Sequence, residues 1–261
     1  MKKKLILLGI ILLNILVIGG YKTSTVVQAS TDILTDKYEP TGVAAVKYPQ
    51  VVIRTNRYEK RTDLDSIITN VNNVVNEYPE DDSAARSKAA IGSLNTYFNS
   101  GNIGHVWIIV FNSSKSGDYT SYAYHGNGYI KNGPYDTSER KFHQELAVNV
   151  KSYDDTRNLM EGTYIPKLNS QSYSVGKMMN LSGNATNGSY TPINNCAWFA
   201  GELFNQTTGE NLVYAQPING QNLSSWGMPY LANISQIADP GMVSESIEKD
   251  NEKKCFHFLD F

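Results

Sequence analysis

Three stretches predict an α+β fold. Leu64, Ile67, Ile68, Val71, Val74, Val75 and Tyr78 recur at helical spacing, and Ile103 to Asn112 (IGHVWIIVFN) is an apolar run rich in branched residues. The third, Tyr190 to Gly209 (YTPINNCAWFAGELFNQTTG), opens on a turn and returns to helical spacing around a cysteine. Together they predict an antiparallel sheet with the cysteine-bearing helix packed on it, preceded by a helical hairpin.

The elements follow in chain order. Residues 30 to 60 are polar and extended, with Pro40 and Pro49 as punctuation and one β-rich run at Val51 to Arg54. That stretch reads as a linker, an edge strand or a short propeptide. The helix from Leu64 stops at Pro79. Ser83 then caps a second helix, through Ala89, Ala90, Ile91, Leu94, Tyr97 and Phe98 to Gly101, which completes the hairpin. The 103–112 run connects through the polar loop Ser113 to Asp118 into the alternating TSYAYHG of Thr120 to Gly126, predicting an antiparallel β-hairpin. Glycine, asparagine and proline from Gly126 to Pro134 break the sheet, Glu145 to Val150 (ELAVNV) is a further strand, and Asp154 to Glu161 is helical. Asn180 to Ser189 is a loop feeding the cysteine helix, which Asn194 or Asn195 caps and Gly209 closes. Beyond Gly209 the chain is loop-rich, and the charged tail from Glu245 reads as solvated or as a short exposed helix.

The first residues have the form of a secretion signal. Lys2, Lys3 and Lys4 precede the apolar run Leu5 to Ile18, and Val27-Gln28-Ala29 before Ser30 resembles a signal-peptidase site. The run is short for a membrane span, so cleavage with no stable membrane anchor is expected over a retained signal anchor. The layout expected is 1–29 signal, 30–60 leader or linker, 61–240 a single α+β catalytic domain and 241–261 a charged tail. Residues 30 to 261 carry 19 basic and 25 acidic side chains, net −6, which gives no electrostatic footprint for nucleic acid. The absence of CxxC, HExxH or a paired Cys/His cluster points to no metal site, and nothing implies a cofactor.

Cys196 opens the late helix, where unpaired backbone N–H groups and the helix dipole favour thiolate over thiol. It could be a nucleophile, a small buried residue, or half of a disulfide with Cys255. Only four histidines are present, at 105, 125, 143 and 257. His105 opens the apolar strand and His125 ends the next one, so the two could supply a base and the group that fixes its tautomer. His143 and His257 sit among charged residues and read as solvated. The aromatic density near the site, including Trp107, Tyr122, Tyr124, Tyr190, Trp198 and Phe199, reads as core rather than substrate platform.

Gly104-His105-Val106-Trp107-Ile108, then a strand bearing His125, then Asn194-Asn195-Cys196-Ala197-Trp198-Phe199-Ala200, resembles the circularly permuted papain-like hydrolases. That superfamily includes the NlpC-type cell-wall peptidases and the lecithin:retinol acyltransferase-like enzymes. The resemblance covers residues 103 to 209. It implies Cys196 as nucleophile, His105 as base, His125 as third polar residue, Asn195 as an oxyanion donor beside the Cys196 N–H, and Tyr190 as a residue lining the site. Trp107 stands where a small residue is common and would narrow the pocket. The histidine-to-histidine loop is longer than usual, and Asn112 or Asp118 is the fallback third member.

The function expected is a secreted cysteine hydrolase cutting an amide in cell-wall peptide or protein, with peptide or peptidoglycan as substrate and ester or lipid acyl transfer as the alternative chemistry. A secreted binding protein that does not use its thiol, or a toxin-like factor, is the alternative class.

Overall fold

A computed structural model describes residues 39–57, 60–99, 103–137 and 141–257. Its centre is a five-stranded antiparallel sheet of order β4-β3-β2-β1-β5, comprising β1 Gln50–Thr55, β2 Val106–Phe111, β3 Tyr119–His125, β4 Gly128–Lys131 and β5 Gln144–Asn149. Branched and aromatic residues favour this pleated state, and every residue of β1 and β2 is buried. The α+β class and the β2–β3 hairpin agree with the sequence reading.

The 30–60 stretch is where that reading needs correction. Its β-rich run is β1, an inner strand paired on both edges: Val52 lies opposite Ile109 of β2 and Ala147 of β5. A strand flanked on both sides is neither a linker nor an edge, so the α+β domain begins before residue 61. The sheet also continues past Gly126, where Gly128–Lys131 pairs with the end of β3.

Alternation gives the sheet two unlike faces. Val51, Ile53, Val106, Ile108, Val110, Tyr122 and Tyr124 point to one side. Helix α5, Cys196–Thr208, covers it with Ala197, Phe199, Ala200, Leu203 and Phe204, all completely buried. The same core takes Met160 from a π-helical turn, Met160–Tyr164, which joins α3 (Tyr153–Leu159) to α4 (Ile165–Met178). It also takes Val243 and Ile247 from α6, Pro240–His257. The predicted solvated tail is therefore partly a core helix, and the expected boundary at 240 falls at its first turn. On the opposite face Val52, Trp107, Ile109, Phe111, Ala123 and Ala147 are covered by Val43, Val46, Tyr48 and Phe142.

The helical hairpin is α1, Leu64–Val75, and α2, Ser83–Asn99. Asp63 caps α1 by accepting from Ser66 N. Asp82 rather than Ser83 serves α2, accepting from Ala85 N at 2.9 Å. The hairpin buries Ile67, Ile68, Val71 and Val75 against Leu223, Trp226, Met228 and Leu231 from the segment after α5. Two short strands, β6 Ala215–Pro217 and β7 Gln236–Ala238, pair beside it. Among the described residues no helix is long and apolar enough to cross a membrane. The expected signal lies outside the described residues.

Candidate active site

Gly104 adopts a left-handed φ of 83°, which a side chain would strain, and delivers the chain into β2 at His105. Asn56, just past β1, clamps this point: its side chain accepts from His105 N at 2.7 Å and its own N–H donates to the His105 carbonyl at 3.2 Å. Trp107 pairs with Ala123, so the register continued by two residues sets His105 opposite His125. The two imidazole centroids are 4.6 Å apart.

Both rings engage Asp136, in the short 3-10 turn Pro134–Asp136 that follows β4. His105 Nε2 lies 2.9 Å from Asp136 Oδ1, and His125 Nε2 lies 2.7 Å from Oδ2. A carboxylate accepts, so each Nε2 donates, and Nδ1 is left as the basic nitrogen of each ring. Asp136 is almost wholly buried. Burial alone would raise its pKa, but hydrogen bonds from His105 and His125, and their charge, outweigh it and hold the carboxyl at about 2. The role expected of His125, orienting His105, therefore falls to Asp136, with His125 as the second ring on the same carboxylate.

Sequence reasoning missed Asp136 because GPYDT reads as a turn. The signal was present: it is the only acidic residue between Asp118 and Glu139. Asn112 and Asp118, the fallback third members, hydrogen-bond each other at 3.1 Å at the opposite end of the β2–β3 hairpin. They are excluded by a strand's length, about 20 Å at 3.3 Å per residue.

Cys196 is the first residue of α5, and it is a buried thiol rather than half of a disulfide. Cys255, its proposed bridging partner, has a side chain outside the described residues. Tyr190 Oη donates to Cys196 Sγ at 3.4 Å. The Tyr190 ring stacks on Tyr124, 5.9 Å between centroids and 15° between planes, and Tyr124 is anchored by Ser172 Oγ at 2.6 Å and the Ser189 carbonyl at 3.0 Å. Tyr124 immediately precedes His125 in β3. The thiol and the His–Asp–His cluster therefore come to the same end of the sheet, α5 from the Tyr124 face and the imidazoles from the Trp107 face.

Two further expectations change. Asn195 is the N-cap of α5: Oδ1 accepts from Ala197 N at 2.9 Å and Trp198 N at 3.3 Å, while Nδ2 donates to the Ala238 and Pro192 carbonyls. With both amide hydrogens committed, its side chain is a positioning group rather than an oxyanion donor. Trp107 does not narrow a pocket beside the cysteine; it is buried on the opposite face and stacks behind His105 at 5.8 Å.

His105, His125 and Asp136 present three donor atoms within 4.8 Å of one another. Two imidazoles and a carboxylate could hold a divalent transition ion. No sequence spacing announced this group, because its members come from two strand ends and a turn. His143, just before β5, is exposed. No family model, curated protein or solved structure matches the chain.

Proposed function

We propose that the protein is an exported cysteine hydrolase that cleaves an amide bond in a peptide substrate, with the element order of the circularly permuted papain-like enzymes. The observation that carries this reading is the His105–Asp136 hydrogen bond at the sheet end where the Cys196 helix begins. A buried carboxylate on Nε2 fixes the tautomer in which Nδ1 is basic, as a nucleophile's base requires. The helix N-terminus and the Tyr190 hydroxyl both stabilise negative charge on the sulfur.

The reaction requires the imidazole and the thiol, which approach from opposite faces, to meet around the end of the sheet: His105 Nδ1 then takes the thiol proton and Cys196 Sγ attacks the substrate carbonyl carbon. The resulting oxyanion is held by the Cys196 backbone N–H. The imidazolium returns its proton to the leaving amine as the C–N bond breaks, leaving a thioester. Water, deprotonated by the same Nδ1, attacks the thioester; the carboxylic acid leaves and the thiol is restored.

The test is iodoacetamide labelling of the purified protein at pH 6, with the alkylated residue mapped, in wild type, His105→Ala and Asp136→Asn. Fast labelling of Cys196 that both substitutions slow supports the reading; labelling at the rate of an ordinary thiol in all three proteins sinks it.

The clustered donors favour one second reading, a metal-dependent site built on His105, His125 and Asp136. Peptide hydrolysis that disappears with a chelator but survives Cys196→Ala would replace the thiol mechanism with this one.

A further inference from the structure

Helices α4 and α5 flank an open groove of about 530 Å³. Its α4 wall carries Lys167, Gln171 and Ser174, and its α5 wall carries Trp198, Glu202 and Gln206. Asn194 lies in the lining too, two residues before the thiol, as Trp198 is two after it. The Trp198 ring also meets Tyr124 edge-on at 6.2 Å, which joins the groove to the aromatic stack behind Cys196.

Asn194 is 6 % exposed, and its Oδ1 has no hydrogen-bond partner among the described residues. Its backbone is fully engaged, N–H to Thr191 Oγ1 at 2.8 Å and carbonyl to Thr191 N at 3.0 Å, so the side chain is not needed to shape the turn. A buried amide oxygen left unpaired costs free energy, of the order of 1–3 kcal/mol, unless something outside the fold pairs it. Glu202, by contrast, already accepts from Gln206 Nε2 and Tyr214 Oη, so it forms a fixed wall.

We infer that this groove binds an extended peptide strand of the substrate, with Asn194 Oδ1 accepting one of its backbone N–H groups and Trp198 packing along it. The inference rests on the peptide-hydrolase reading for the strand's fate, but its binding step needs no thiol. Side-chain amides at 171, 194 and 206 each offer a donor and an acceptor, the pairing that an extended backbone presents. The one cation and one anion on opposite walls leave the groove with no single sign that would select a charged polymer.

The experiment uses the full chain with Cys196→Ala, titrated with acetyl-tetra-alanine-amide and separately with the tetramer of N-acetylglucosamine, following the Trp198 indole resonance by NMR. A saturable shift with the peptide, weakened about tenfold by Asn194→Leu, is expected. The same variant should melt at or above the parent temperature, because it removes an orphaned polar atom; a merely structural Asn194 would show a fall. Should Asn194→Leu not fold, Gln171→Ala on the exposed wall is expected to weaken the peptide severalfold. No saturable peptide shift, a response to the saccharide alone, or undiminished binding in the folded groove variants overturns the inference. Peptide binding here with no cleavage by wild type would instead remove the hydrolase reading and leave the groove standing.

Discussion

The two faces of the sheet are held by different means. Under α5, Tyr122 and Tyr124 fill space among Phe199, Leu203 and Phe204 and send only their hydroxyls to polar partners: Glu161 Oε1 at 2.7 Å for Tyr122, and Ser172 and Ser189 for Tyr124. Burial pushes the Tyr124 phenol up to about 12, although its two hydrogen bonds work the other way, so it stays neutral at any ordinary pH. Among the described residues no long helix lies over the opposite face, which holds a buried cation instead. Arg54, 1 % exposed, pairs with Glu145 at 2.9 Å, donates to the Thr41 carbonyl at 2.5 Å and sits 4.2 Å from the Phe142 ring centroid. Apolar volume secures the face beneath the thiol, while a few directional contacts secure the face that backs the imidazoles. Substitutions on the first should be tolerated in proportion to the volume lost, and on the second according to which partner is left behind.

The largest effect should fall on the α5 face. Phe204→Ala empties a completely buried ring site and is expected to cost about 3–5 kcal/mol in chemical denaturation; a loss under 1 kcal/mol would mean that helices, not apolar volume, secure that face. On the other face, Glu145→Ala removes the carboxylate from the Arg54 guanidinium and should cost about 3 kcal/mol, whereas Arg54→Met, which keeps the stem's packing and leaves Glu145, a quarter exposed, with water, should cost less. Equal losses from the two would show that packing, rather than charge pairing, matters there.

Asp136 tests the sheet end where the faces meet. Its carboxyl is held below its ordinary value, so the stabilisation, on the order of 2 kcal/mol, is complete above about pH 4 and is lost as pH falls toward 2. Melting temperatures from pH 7 to pH 2 should show that acid limb in wild type and a flatter one in Asp136→Asn. The smallest effect belongs to Tyr190→Phe, which removes one weak hydrogen bond to sulfur and keeps the ring stack. Cys196 alkylation should slow severalfold, with stability changed by less than about 0.5 kcal/mol.

The cysteine helix was legible almost whole, because its signals are local: an Asn cap, an apolar run and a glycine that adopts φ 78° at the C-terminal end. The His105–His125 pairing was legible too, since hairpin alternation fixes it. Other features depended on distant partners. Gln50, Arg54 and Thr55 disguised β1 as a polar leader; Gln50 is nevertheless fully buried, its side chain satisfied by Val43 and Val46. Helix α4 went unread because its inward face includes Asn169, Ser172 and Gly176 alongside Ile165 and Leu168. Asp136 could be assigned only once the turn after β4 had brought it to the two histidines.

The inner position of β1, paired on both edges, bears on how the chain reaches this state. Synthesis runs from the N-terminus, so β1 appears first, and its neighbours β2 and β5 follow only about 50 and 90 residues later. Until then a Val-Val-Ile run stands with both edges unpaired, the kind of segment that recruits copies of itself. Gln50 and Arg54 bracket that run, one polar and one charged, the kind of flanking residue that hinders such self-pairing in an unfolded chain, and both become buried contacts in the finished sheet.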